Sequence, residues 1–70
     1  MEIASELLKK PYLLERETAL LTRLAVSTLR NDRHLHRGIP YLKVGKRRVL
    51  YRLHDVLAYM EARRISFEGG

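Results

Sequence analysis

Apolar side chains recur at two different periods along this chain, and the changes of period mark its elements. Ile3, Leu7 and Leu8 stand at helical spacing in a segment closed by Pro11, which predicts a marginal helix over residues 2–9 that either docks or frays. A longer stripe runs from Leu13 through Leu20, Leu21 and Leu24, with Glu15 and Glu17 near its start, where a helix N-terminus favours negative charge. That spacing predicts a core helix. From Val26 to His36 a third segment sets Val26 and Leu29 on one side and Arg30, Asn31, Arg33 and His34 around the other. Gly38 should close it by accepting the left-handed conformation, and Pro40 prevents it from resuming.

The period then drops to two. Tyr41-Leu42-Lys43-Val44 and Arg47-Arg48-Val49-Leu50-Tyr51-Arg52 alternate around Gly45-Lys46, the pattern of a hairpin with a glycine-first two-residue turn. Such a turn sets Val44 against Arg47, Lys43 against Arg48 and Leu42 against Val49, and gathers Leu42, Val44, Val49 and Tyr51 on one inner face. A three-residue loop would pair Leu42 with Leu50 and Val44 with Arg48 and mix the faces, so the shorter loop is expected. Leu53, Val56, Leu57 and Met60 return to helical spacing in a last helix running to about Arg64, with Arg63 and Arg64 suited to its C-terminus. Residues 66–70 have no periodicity and read as a flexible tail. The expected class is α+β, mainly helical: an N-terminal extension over 1–11, one domain over 12–65, and the tail.

Seventy residues with 46% hydrophobic and 31% charged side chains suit one small core and are too few for two. The chain has no cysteine, so neither a disulfide framework nor a thiolate zinc site is available. The acidic start, Met1 to Glu6, does not read as a secretory signal, and no apolar run approaches a membrane span. A soluble protein of a reducing cytoplasm is expected.

Net charge is +6, and its distribution is uneven. Residues 1–29 balance four cations against four carboxylates. Residues 30–52 carry Arg30, Arg33, Arg37, Lys43, Lys46, Arg47, Arg48 and Arg52 against Asp32 alone. A solvated surface usually mixes signs, so this stretch points to an anionic partner. In the expected register Lys43 and Arg48 stand opposite one another, flanked by Lys46 and Arg47. Like charges so placed repel, whereas a phosphate backbone converts them into contacts and counterion release. The simpler alternative is that they splay into water and protect an edge strand from pairing.

The segment from Val26 to His36 supplies a second element of suitable shape, since a helix fits the major groove and arginine bonds guanine bidentately. Arg30, Arg33 and His34 fall at i, i+3 and i+4; Ser27, Asn31 and Arg37 extend that face, and Asp32 either accepts from cytosine or orients an arginine.

Other chemistries find little support. His34 and His36 do not share a helix face, and no carboxylate sits beside the histidines at ligand spacing, so no metal or other cofactor is expected. Ser5, Ser27 and Ser66 lack a nucleophile elbow, no phosphate-binding glycine loop occurs, and no catalytic residue is assigned. Among the aromatics, Tyr51 and Tyr59 belong with the core and not on a base-stacking platform, while Tyr41 shares the outer hairpin face with Leu50, a possible apolar protein contact. Because the positive charge peaks in a hairpin, membrane binding is not expected either.

From Leu13 to Arg64 the chain resembles the small excisionase-like winged helix-turn-helix proteins, relatives of the DNA-binding domain of MerR regulators. The resemblance is carried by Leu13 to Arg30, by Gly38-Ile39-Pro40-Tyr41-Leu42-Lys43-Val44-Gly45-Lys46-Arg47-Arg48-Val49-Leu50-Tyr51, and by Asp55-Val56-Leu57-Ala58-Tyr59-Met60. The chain departs from the family pattern at Arg23, where a turn glycine is common, and at Ala25, where a capping serine or threonine is common, which leaves Thr22 or Ser27 as alternative caps. The resemblance implies a winged helix-turn-helix with a two-stranded wing. Ser27, Thr28, Arg30, Asn31, Arg33, His34 and Arg37 become candidates for a recognition helix in the major groove, and Lys43, Lys46, Arg47 and Arg48 for wing contacts. It further implies double-stranded DNA as partner, self-association along adjacent sites, a tyrosine recombinase (integrase) as a second partner, and a bacterial or phage-encoded protein of the nucleoid. The expected function is then an excisionase that bends DNA, with a small transcriptional regulator as the alternative. An adaptor for an acidic protein surface is a third reading, from another class.

Overall fold

The computed structural model describes the backbone of residues 2–63 and the side chains of residues 5–63. Its elements run α1 (Glu2–Leu7), β1 (Tyr12–Leu14), α2 (Glu15–Thr22), α3 (Val26–His34), β2 (Leu42–Val44), β3 (Arg48–Arg52) and α4 (Leu53–Ala62). The described residues thus form a small α+β unit of four helices and one three-stranded antiparallel sheet in the order β1-β3-β2. Arg64 and the tail over 66–70 lie outside the described residues.

Strand β1 corrects the sequence reading. Leu13 and Leu14 do not open the first core helix; they pair with β3, Leu13 opposite Tyr51 and Leu14 opposite Leu50. Leu14 is the extended N-cap of α2, and its amide donates to Glu17 Oε1 at 2.8 Å, so the helix starts at Glu15. Extended Leu13 then points straight into the core and is fully buried. Leu20, expected in the buried stripe, is 58% exposed, and the inner face of α2 instead carries fully buried Thr18 with Leu21 packed beside the core. Thr18 hides its hydroxyl by donating to Leu14 O at 3.0 Å, which satisfies the one buried polar side chain of the described residues.

Leu7, Leu13, Leu29, Ile39, Tyr51 and Val56 form the core. Because Leu7 belongs to it, the N-terminal helix docks, the first of the two alternatives; it stops at Leu7, before Lys9. The amide of Leu53 donates to Pro11 O at 2.9 Å, tying the start of α4 to the chain entering β1. Tyr51 is buried and Tyr59 packs against the core, both as expected.

The hairpin has the register that the sequence reading rejected. Leu42 pairs with Leu50, Lys43 with Val49 and Val44 with Arg48 around the loop Gly45-Lys46-Arg47. Leu42 and Val44 therefore sit on the outer face with Arg48 and Leu50, and Val44 is 47% exposed. Burial fixes β3, which lies between two partners with Tyr51 in the core. β2 is an edge strand exposed at all three positions, so no buried face penalises a one-residue slide, and the turn decides. Gly45 makes that turn with φ 74°. Tyr41 likewise departs from expectation: its ring lies 6.4 Å from that of core residue Tyr51, not beside Leu50.

Candidate nucleic-acid interface

Helix α3 follows α2 after a tight connection. Arg23 closes α2 in the left-handed conformation (φ 66°), its amide donating to Ala19 O at 2.8 Å. Thr22 Oγ1 accepts from the Leu24 amide at 3.3 Å, and Ala25 becomes the N-cap of α3 with no side-chain bond. Neither Thr22 nor Ser27 caps α3. At the other end His36, not Gly38, is the closing left-handed residue (φ 56°): its amide donates to Arg33 O and that of Arg37 to Asp32 O, the paired bonds of a Schellman ending. Gly38 (φ 87°) serves differently. A Cβ there would meet Asp32 Cβ at 2.9 Å, so glycine lets the next stretch of chain pass against Asp32.

At 3.6 residues per turn, Arg30, His34, Ser27, Asn31 and Thr28 occupy one contiguous arc of α3, and all five are exposed. Arg33 does not join them. It stands four residues after buried Leu29 and shares its inward side, and its side chain is only 18% exposed. Arg33 Nη1 donates to Tyr51 Oη at 2.7 Å and lies 2.9 Å from Glu15 Oε2, with the guanidinium 5.7 Å from the centre of the Tyr41 ring. One arginine thereby braces α3 against α2, β3 and the loop before β2.

Glu15 also holds Arg30. Arg30 Nε donates to Oε2 at 3.1 Å and Nη2 to Oε1 at 3.1 Å, while the Arg30 side chain remains 66% exposed. Hydrogen bonds from Arg30, opposed by partial burial and reinforced by Arg33, hold the Glu15 carboxyl below the usual carboxylate range. Arg37 is exposed beyond the end of α3, its Nε donating to Asp32 Oδ1 at 3.1 Å; Asp32 therefore orients an arginine. Sequence reading missed Glu15 as a shared anchor because charge was counted along the chain, where Glu15 lies 15 residues from Arg30.

The wing candidates Lys43, Lys46, Arg47 and Arg48 are all exposed. The register separates Lys43 from Arg48: Lys43 shares a sheet face with Val49, Arg48 one with Val44, so they do not stand opposite one another. Arg47 and Arg48 share a cleft with residues of α2 and α3. They line this open cleft of about 590 Å³ with Arg16, Arg30, Arg33 and the carboxylate Glu15, beside the apolar Leu14, Val26 and Val49. Lys43 and Lys46 lie outside that lining. Arg16 was not among the sequence candidates, being hidden in the charge-balanced stretch over residues 1–29.

Among the described residues no group of histidines and carboxylates is placed to hold a metal ion, and no helix is long and apolar enough to cross a membrane. No family model, curated protein or solved structure matches this chain.

Proposed function

We propose that the chain binds duplex DNA as a winged helix-turn-helix protein, with α2 and α3 as the helical pair, α3 in the major groove, and the β2–β3 hairpin as the wing against the flanking backbone. The observation that carries this reading is the convergence of Arg16 from α2, Arg30 from α3, and Arg47 and Arg48 from the hairpin on one cleft. Glu15 lines the same cleft and offsets Arg30, but Arg16, Arg47 and Arg48 add three further cations from elements distant in sequence, an excess of one sign on one side that favours an anionic partner. The five exposed positions of α3 beside this cleft, Ser27, Thr28, Arg30, Asn31 and His34, offer donors and acceptors to base edges.

Within that class the role we propose is an excisionase: several copies on adjacent sites bend DNA and help a tyrosine recombinase assemble an excision complex. The sequence resemblance supports this role. Each copy presents a small surface, so cooperative binding is how so short a chain gains specificity. Titration of duplex DNA over a salt series tests the binding: about five phosphate contacts give a log-log slope of roughly −4 to −5. A flat titration rules DNA binding out and favours the acidic-protein adaptor. Footprinting on the protein's own genomic neighbourhood, paired with excision and reporter assays in a deletion strain, tests the role. Lost excision supports the excisionase; unchanged excision with altered transcription identifies a regulator.

A further inference from the structure

Of the arginines around the cleft, Arg30 alone is both exposed and gripped along one full edge. Its Nε and Nη2 hydrogens face Glu15, and these two atoms define the side of the guanidinium. The remaining edge, one Nη1 and one Nη2 hydrogen pointing along the side chain, meets no acceptor among the described residues, and the side chain is 66% exposed. Two parallel donors in that spacing match the O6 and N7 acceptors of guanine in the major groove. A guanidinium already fixed by a carboxylate loses less freedom on binding than one on a free stem.

Its neighbours lack this combination. Arg33 spends donors on Tyr51 and Glu15 and is largely covered. Arg37 is held through Nε alone, beyond the end of α3. Arg47 and Arg48 have no partner among the described residues and sit in or beside the hairpin loop. Resting on the DNA-binding reading above, we propose that Arg30 is the residue that determines specificity by reading a guanine, and that Glu15 is its positioning residue.

Glu15 carries a cost that makes its role measurable. Its charge repels phosphate, so a residue kept only for affinity would be better neutral; as a positioning group it exchanges general attraction for discrimination.

The test begins with duplexes selected by the wild-type protein from a randomised library. A scan then replaces each guanine of the selected site with 7-deazaguanine, which lacks the N7 acceptor. One position should cost the wild type about tenfold in affinity, the scale of a lost base contact. Arg30→Ala removes both donors and should show no penalty at that position, with a salt slope smaller by no more than about one. Glu15→Gln should shrink the 7-deazaguanine penalty several-fold yet bind random duplexes more tightly, because the net charge rises by one. Thermal melting confirms that each variant is folded. An equal penalty in wild type and Arg30→Ala overturns the assignment of Arg30. Equal weakening of selected and random duplexes by Glu15→Gln reduces Glu15 to a structural residue and overturns its part. If the wild type binds no duplex in a salt-dependent way, the DNA-binding reading falls first, and that result is distinct from either of the others.

Discussion

Helix α3 and the β2–β3 hairpin carry the same sign of charge and hold it in opposite ways. Each arginine of α3 and its end is tied to a carboxylate: Arg30 and Arg33 to Glu15, Arg37 to Asp32. In the hairpin, Lys43, Lys46, Arg47 and Arg48 have no ionic partner among the described residues; they stand on the edge strand β2, in the three-residue loop and at the first residue of β3. Held cations suit directional contacts with base edges; loose ones suit phosphates, which accept from many directions. On the proposed DNA-binding reading, the difference gives discrimination to the helix and salt-dependent affinity to the hairpin, and the substitutions below test that division.

The largest effect is expected at Arg33, where held charge has become structure. Arg33→Ala removes the bonds to Tyr51 and Glu15 and leaves their oxygens half-covered, which should cost about 2–3 kcal/mol and lower Tm by roughly 10–20 °C in a domain of this size. Circular dichroism melting measures it; an unchanged Tm would mean that α3 is oriented by Leu29 alone. The same clamp makes stability depend on acid. Glu15 has a lowered folded pKa, so its contribution is present above the ordinary carboxylate value and lost as pH falls through the depressed one. A pH series of melts should show Arg33→Ala losing less than the wild type in that window.

Two glycines extend the comparison to the backbone. Gly38 and Gly45 both have positive φ, but a Cβ at Gly38 meets Asp32 at 2.9 Å, whereas one at Gly45 meets nothing within 4 Å. Gly45→Ala should therefore cost only the conformational penalty, about 1 kcal/mol. Gly38→Ala adds an overpacking cost and should lose about 2 kcal/mol or more. Equal losses in urea denaturation would show that Asp32 moves aside freely, and that the end of α3 is no firmer than the hairpin.

These elements also show what the sequence could and could not reveal. Helices α3 and α4 were legible from apolar spacing, but of the expected α4 stripe only Val56 is buried, with Leu53 and Tyr59 packed beside the core, while Leu57 and Met60 are exposed. β1 was not, because three extended residues beside a longer apolar run look like the start of the helix they precede. The hairpin was visible as alternation, yet its register was misread: face matching predicts register only where a face is buried, and β2 has none. The exposed arc of α3 was legible from spacing. The inward turn of Arg33 was not, since its partners Glu15 and Tyr51 lie 18 residues away on each side of it.

Substitutions in the hairpin should leave folding alone and change binding. Lys46→Ala and Arg47→Ala should keep stability within about 0.5 kcal/mol of wild type. Each should weaken selected and random duplexes alike, by about 1 kcal/mol at moderate salt, and flatten the log-log salt slope by about 1. Arg30→Ala should instead weaken selected duplexes more than random ones. If the two regions responded alike, held and loose cations would be doing the same job, and the pairing within α3 would be a matter of stability alone.

The smallest effect concerns how α3 begins. Ala25 caps it without a side-chain acceptor, and Arg23 takes a left-handed conformation that suits glycine, so the end of the connection is held less well than the helix itself. Ala25→Ser should let a hydroxyl accept from the first-turn amides. A serine cap is worth about 1 kcal/mol at a bare terminus. Here the Thr28 amide already donates to Ala25 O at 3.0 Å, so only part of that demand is unmet and the gain should be nearer 0.5 kcal/mol. Because the first turn carries Ser27 and Thr28, which share the exposed arc of α3 with Arg30, a firmer start should also improve discrimination slightly without altering the salt slope. A gain in stability with no gain in discrimination would show that Glu15, and not the helix start, sets the aim of Arg30.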